Sequence, residues 1–336
     1  MAGSRRDFFK TLTSVPPPAE MELLRVGRPA MGTRFEILFR SEHRTRIEGV
    51  HRALDEIRRL EQVMTVFSDE SEISRLNQHA AFHPVTIGRD LFAVIRRGLE
   101  ISQEVQGAFD PSAGALWKCW GFYRKQGAVP SPQELEQARQ RCGAEFVHLD
   151  EADSVVRYAR DGLELNLGSI GKGFALDRAA RILQNAGLEE ALLHAGHSSF
   201  LAMGDPSARG RGWRVSIRHP LEPEKSFAVL DLKEVGMATS GAGEQFFEVD
   251  GKRYGHIVDP RTGVPPDHIL SATALAPDAA QADALATAFF VMSLDEIDDY
   301  CRRHKRVGAI VVPAASGESP LEMHCFGGAS KYLVDR

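Results

Sequence analysis

Hydrophobic residues recur along this chain with two periods, and the two alternate in blocks. In residues 44–64, Ile47, Val50, Leu54, Ile57, Leu60 and Met64 fall three or four apart, which predicts an amphipathic helix. Residues 89–106 repeat that spacing and stop at Gly107. Ser131-Pro132-Gln133-Glu134 is a capping box with proline at the first helical position, and Gly143 ends that helix. Residues 278–292 and 294–304 read as two further helices. Between these blocks the period falls to two. Residues 23–40 read as one or two strands broken at Pro29-Ala30-Met31-Gly32. Short strands are expected near 146–149, 154–159, 163–167, 190–194, 199–203, 213–218, 226–232, 245–250, 253–258, 269–275, 307–312, 321–325 and 330–333. Many lie at hairpin spacing, which predicts an α+β fold with mostly antiparallel sheet and packed helices.

The sharpest local signal lies late in the chain. Asp250-Gly251 separates two alternating runs (Phe246, Phe247 and Val249 before; Tyr254 and Ile257 after) and predicts a type I′ hairpin. Its return strand ends at Gly255-His256-Ile257-Val258-Asp259-Pro260-Arg261-Thr262-Gly263, where Pro260, Gly263, Pro265 and Pro266 stiffen the loop. A stiff loop presenting His, Asp, Arg and Thr suits chemistry; a plain surface turn fits the same residues.

Leu163, Leu165 and Leu167 alternate into glycines at 168, 171 and 173, then into an apolar-sided helix ending near Gly187. Strand, Gly-rich turn and helix N-terminus together form a phosphate cradle, with Lys172 adding a charge. The glycine spacing matches neither the dinucleotide-binding fingerprint nor the P-loop. Asp283 and Thr287 lie four apart and so share a helix face. Together they offer two hard oxygens to Mg²⁺, although a back-bonded hydroxyl beside a solvated Asp fits the same spacing.

Taken in order, these motifs resemble the FAD:protein FMN transferase (ApbE-type) family. Met31-Gly32-Thr33 with Phe35, Phe67 through Asn77, Phe109-Asp110-Pro111-Ser112-Ala113-Gly114 with the following Trp117 to Phe122, and Ala238-Thr239-Ser240-Gly241 extend the likeness across residues 26–333. The resemblance implies a two-lobed, T-fold-related domain that binds FAD between its lobes. It implies Mg²⁺-dependent transfer of FMN from FAD to a Thr or Ser hydroxyl of an acceptor flavoprotein, releasing AMP. It further implies that Ser169 (through its carbonyl), Asp283 and Thr287 hold the metal. Met31, Phe67, Ala108, Phe109, Asp110, Asn166, Lys172, His256 and Ile257 would contact FAD. His256 would act as base, or as a hydrogen-bond partner of the flavin. Two rival readings are a Mg²⁺-dependent FAD pyrophosphatase and a non-catalytic flavin binder.

Three positions depart from the family pattern. Asn166 stands where an Asp is usual. Ala195-Gly196-His197-Ser198-Ser199 replaces a Gly-Gly-Asp or Gly-Gly-Asn segment. Phe67 replaces a Tyr. The pair His194/His197 has metal-like spacing but is expected to satisfy local hydrogen bonds.

Composition narrows the partners. The chain has 336 residues, 41 Lys and Arg against 46 Asp and Glu, and a net charge of −5 without a basic stripe, so nucleic acid is not an expected partner. No apolar run approaches the roughly 18 residues that span a bilayer. The four cysteines (Cys119, Cys142, Cys301, Cys325) are scattered and are expected as free thiols. Ser4-Arg5-Arg6-Asp7-Phe8-Phe9-Lys10 resembles a twin-arginine export motif, but residues 11–15 run into Pro16-Pro17-Pro18 without an apolar core. Residues 1–20 are therefore expected as a disordered tail ahead of one domain over 21–336. The expected compartment is the cytoplasm, with twin-arginine export to the periplasm as the alternative.

Overall fold

The structure, a computed structural model, describes residues 22–124, 126–206, 210–243, 245–314 and 320–334. The twin-arginine-like motif and the expected tail lie outside the described residues.

Eight strands form one sheet in which every neighbouring pair is antiparallel. In chain order the sheet takes β1 (Leu23–Ala30) and β2 (Thr33–Arg40), then, after a separate three-stranded sheet of β3 (Val85–Thr86), β4 (Val147–Asp150) and β5 (Val155–Tyr158), β6 (Ala191–Ala195) and β7 (Ser199–Met203). The hairpin of β8 (Trp213–Arg218) and β9 (Ser226–Leu232) stands apart. The main sheet resumes with β10 (Val235–Gly241). A two-stranded ribbon, β11 (Phe246–Val249) and β12 (Lys252–Gly255), precedes β13 (Ile269–Ala276), β14 (Gly308–Pro313) and β15 (His324–Gly327). The spatial order is β1-β2-β6-β7-β10-β13-β14-β15. The helices are α1 (Ile47–Met64), α2 (Glu72–His79), α3 (Arg89–Glu104), α4 (Gly114–Cys119), α5 (Pro132–Arg139), α6 (Gly171–Asn185), α7 (Ala279–Val291) and α8 (Leu294–Arg303).

The strand alternation sorts residues onto two faces. Phe35, Ile37, Phe39, Leu193, Leu201, Ala274 and Val311 pack with α1, α6 and α7 in the main core. Each of these side chains except Ala274 contributes about 1.5–3 kcal/mol by burial. Leu38, Leu192, Phe200, Met237 and Leu275 face the other way, against Trp213, Val215, Ile217 and Leu230 of the β8–β9 hairpin. The middle of the main core is tight. A Cβ on Gly173 would fall 2.0 Å from the Ala279 carbonyl oxygen, and one on Gly236 would fall 2.6 Å from Asp278. The start of α7 is thus pinched between α6 and β10, which explains its alanine-rich sequence. Asp177 of α6 accepts the Ala279 and Ala280 amides and caps α7 from outside.

Three expected strands are corrected. Residues 163–167 alternate correctly, with Leu163, Leu165 and Leu167 buried, but they form no strand. Their backbone groups bond to other partners: the Asn77 side chain takes both Leu165 N–H and C=O, and Pro111 accepts the Asn166 amide. Residues 329–332 form a 3₁₀ turn rather than a strand. The strand expected at 253–258 ends at Gly255, because the backbone there turns into the stiff loop. The Asp250-Gly251 turn has φ of 50° and 75°, as a type I′ hairpin requires. All four cysteines are unbridged.

Candidate active site

The β1–β2 turn, the β6–β7 turn, the end of β10 and the start of β13 all lie at one end of the sheet. A cleft of about 1040 Å³ opens there. Of the twelve residues that the sequence singles out, Met31, Phe67, Ala108, Phe109, Asp110, Asn166, Ser169, Lys172, His256, Ile257 and Thr287 line it. Asp283 sits behind the lining at 5% exposure and reaches the cleft through Lys172.

Met31 and Gly32 form a two-residue turn between paired Ala30 and Thr33, with φ of 49° and 71°. A left-handed Met is uncommon. Glu61 of α1 accepts its backbone amide and holds the turn that sets Met31 at the cleft wall. Phe67 is 63% exposed, stacked on Tyr123 at 5.4 Å and edge-on to Trp117 at 6.2 Å. These rings make an apolar platform at the mouth, suited to a flat aromatic ligand.

Asp110 lines the cleft, but its carboxylate works on the backbone. It accepts the Ser112 amide at 2.7 Å and the Ala144 amide at 3.1 Å. Burial pushes its carboxyl above the usual range against these bonds.

The Gly-rich segment is less open to an anion than its sequence suggests. Gly168 donates to Asn166 Oδ1 at 2.9 Å, Ile170 and Gly171 both donate to Leu167 O, and Gly173 donates to Asp283 Oδ2 at 3.1 Å. Among the described residues the amides of Ser169 and Lys172 have no such acceptor, and both residues line the cleft. Two amides and the Lys172 ammonium are thus what the start of α6 leaves open to an anion.

Every residue of α7 except Thr287 is buried, so the helix meets the cleft at that hydroxyl. One turn earlier, Asp283 receives Ser199 Oγ on Oδ1 at 2.9 Å and lies 3.3 Å from Lys172 Nζ. The solvated Asp that the spacing left open is ruled out by this burial. A buried carboxylate with a cleft-lining hydroxyl one helical turn on offers hard oxygens of the kind Mg²⁺ takes, and it already balances one cation. The residues present fit a Mg²⁺ ion.

His256 follows directly on β12. Its Nδ1 lies 3.2 Å from the Gln245 carbonyl oxygen. A carbonyl only accepts, so Nδ1 carries the proton and Nε2 keeps its lone pair. Burial lowers the imidazole below its ordinary value; the Gln245 bond opposes this, and the Lys172 charge adds to it. His256 is therefore a neutral imidazole at neutral pH, oriented by the backbone.

The other polar residues of this loop are structural. Asp259 is buried and accepts Arg261 N at 2.9 Å and Arg261 Nε at 3.1 Å, while Arg261 Nη1 donates to Glu296 at 2.8 Å. Trp120 Nε1 donates to the Gly263 carbonyl at 2.8 Å. This network holds the loop that carries His256. His194 also serves locally: it meets the Gly196 carbonyl at 2.8 Å and Glu36 at 3.3 Å. Among the described residues no group of three or more His, Cys, Asp and Glu side chains has metal-holding geometry.

Sequence reading missed Glu61, Ser199 and the contribution of Arg218 and His219 from the end of the β8–β9 hairpin to the cleft. Ser199 had a signal: it is the polar member of the row Ser199, Leu201, Met203 on one strand face.

The ApbE family model matches residues 31–311. The chain is 37% identical over 280 residues to the FAD:protein FMN transferase of Treponema pallidum, covering 78% of this chain and 77% of that protein. It is 29% identical over 251 residues to the Escherichia coli K12 protein of the same name, covering 72% and 70%. The solved ApbE protein of Thermotoga maritima superposes with a TM-score of 0.80 at 29% identity, covering 92% of this chain and 98% of that one. The flavin transferase ApbE of Vibrio cholerae gives 0.78 at 25% identity, covering 93% and 100%. With the family model spanning most of its length, this chain belongs to the ApbE family.

Proposed function

We propose that this protein transfers FMN from FAD to a Thr or Ser hydroxyl of an acceptor flavoprotein and releases AMP. The observation that carries the reading is that one cleft joins a neutral, oriented His256 to the Lys172–Asp283 charge pair and the Thr287 hydroxyl. The relatives named FAD:protein FMN transferase support the same substrate.

The chemistry is attack of the acceptor oxygen on the FMN phosphorus, with cleavage of the pyrophosphate bond to AMP. His256 Nε2 takes the hydroxyl proton as the new P–O bond forms. Lys172 and the two open amides hold the phosphates for in-line attack. The aromatic platform at Phe67 and the cleft-wall Met31 orient the isoalloxazine. Asp283, Thr287 and the Ser169 carbonyl would hold Mg²⁺, which supplies charge neutralisation at the pyrophosphate when bound.

Mass spectrometry of a candidate acceptor, incubated with the protein, FAD and Mg²⁺, tests the reading. One FMN gained on a Thr or Ser is the expected result. Free FMN formed equally without acceptor would instead support a pyrophosphatase, and FAD left uncleaved a flavin binder.

A further inference from the structure

We propose that Ser199 is a positioning residue for the Asp283 carboxylate and, through it, for a divalent cation in the cleft. This rests on the metal site of the proposed transfer reaction.

Ser199 opens β7 and is fully buried. It is paired with Ala195 on one side and Ala238 on the other, at the cleft end of two inner strand pairs of the main sheet. Its strand face otherwise carries Leu201 and Met203, which pack in the helix-side core. A hydroxyl at such a position costs free energy unless it is bonded. Here it donates to Asp283 Oδ1 at 2.9 Å, a charge-assisted bond.

The other oxygen is held as well. Gly173 N–H donates to Oδ2 at 3.1 Å, and Gly173 is packed so closely on the start of α7 that a Cβ there would fall 2.0 Å from the Ala279 carbonyl oxygen. Asp283 therefore has two kinds of partner. Ser199 and Gly173 are neutral donors on a strand and a helix and fix its orientation. Lys172 is a charge on a flexible stem, partly exposed to the cleft. The lysine can turn to a phosphate only if the buried carboxylate keeps its other hydrogen bonds. Ser199 and Gly173 provide them, and they leave Asp283 aimed for a metal. The serine lies within Ala195–Ser199, the segment where this chain departs from its family's usual sequence.

The test uses Mn²⁺ as a paramagnetic probe of the full-length, FAD-loaded protein, with binding read by electron paramagnetic resonance. Ser199→Ala should weaken Mn²⁺ binding about 10-fold, as losses in the shell around a metal ligand typically do. FAD affinity, read by flavin fluorescence, should be unchanged, because Ser199 does not line the cleft. Ser199→Thr, which keeps the hydroxyl, should restore Mn²⁺ binding. Wild-type Mn²⁺ affinity in folded Ser199→Ala would overturn the proposal. Should the alanine variant fail to fold, Ser199→Cys decides, because its weak donor should give reduced Mn²⁺ affinity and unchanged affinity would overturn the proposal. Asp283→Asn is the separate control: undiminished Mn²⁺ binding there would remove the metal site itself, whatever Ser199 does.

Discussion

Lys172 Nζ lies 3.3 Å from Asp283 Oδ1, so a flexible cation and a buried carboxylate on two different helices form one charge pair at the cleft. The ammonium and a metal ion would compete for that carboxylate. Lys172→Met should therefore leave Asp283 short of positive charge and make the fold depend on added metal. We expect its melting temperature to rise with Mg²⁺ by more than that of the wild type. Transfer should fall at least about 10-fold, the scale of one lost electrostatic contact to a transferring phosphate. Equal Mg²⁺ responses in thermal melts of the two proteins would argue against the competition.

Asn166 accepts the Gly168 amide through Oδ1, which any carboxylate would do equally well. Asn166→Asp thus keeps the turn and adds a negative charge beside the phosphate site. We expect an unchanged melting temperature and weaker FAD binding, with no gain in transfer rate, because the added charge lacks a partner. A faster enzyme with unchanged FAD affinity would show instead that a carboxylate belongs at this position.

The glycines of the turn divide into different roles. Gly173→Ala would drive its Cβ to 2.0 Å from the Ala279 carbonyl oxygen. It should cost about 3 kcal/mol or more, since neither helix backbone can yield cheaply. Gly171→Ala would place its Cβ 3.6 Å from Met64, an ordinary contact at the start of a helix. That variant should melt at or above the wild-type temperature. Denaturant unfolding of both reads the contrast, and equal stabilities would refute the packing argument.

His256 gives the pH dependence its sign. Burial and the Lys172 charge lower its pKa, so the neutral, proton-accepting form persists to acid pH. Activity should be flat near neutrality and fall as pH drops through a value below the ordinary 6.5. Lys172→Met removes a lowering charge and should move this acid limb upward. A limb above 6.5, or one that survives in residual activity of His256→Gln, would exclude His256 as the titrating base.

Much of the molecule is legible in the chain. Period-two alternation placed most of the main sheet's strands, because a strand with one face on each of two cores must alternate. The Asp250-Gly251 hairpin was readable because a type I′ turn needs left-handed backbone at two positions. The four-residue spacing of Asp283 and Thr287 fixed their shared helix face, since helical geometry is local.

Tertiary structure decided which polar atoms remain available to a ligand. Asp110, Asp259, Arg261 and the Gly168, Gly171 and Gly173 amides read as chemistry in one dimension, yet each is bonded to another protein group. Leu163 to Leu167 alternate like a strand, but whether a ladder forms depends on a neighbouring strand, and here Asn77 takes that place. Ser199 and Asp283 are 84 residues apart and meet because β7 packs under α7. Local sequence sets periodicity and turn geometry through short-range sterics. Partners distant in the chain set the charge balance and hydrogen bonding of a buried group, so those properties appear only when the chain has folded.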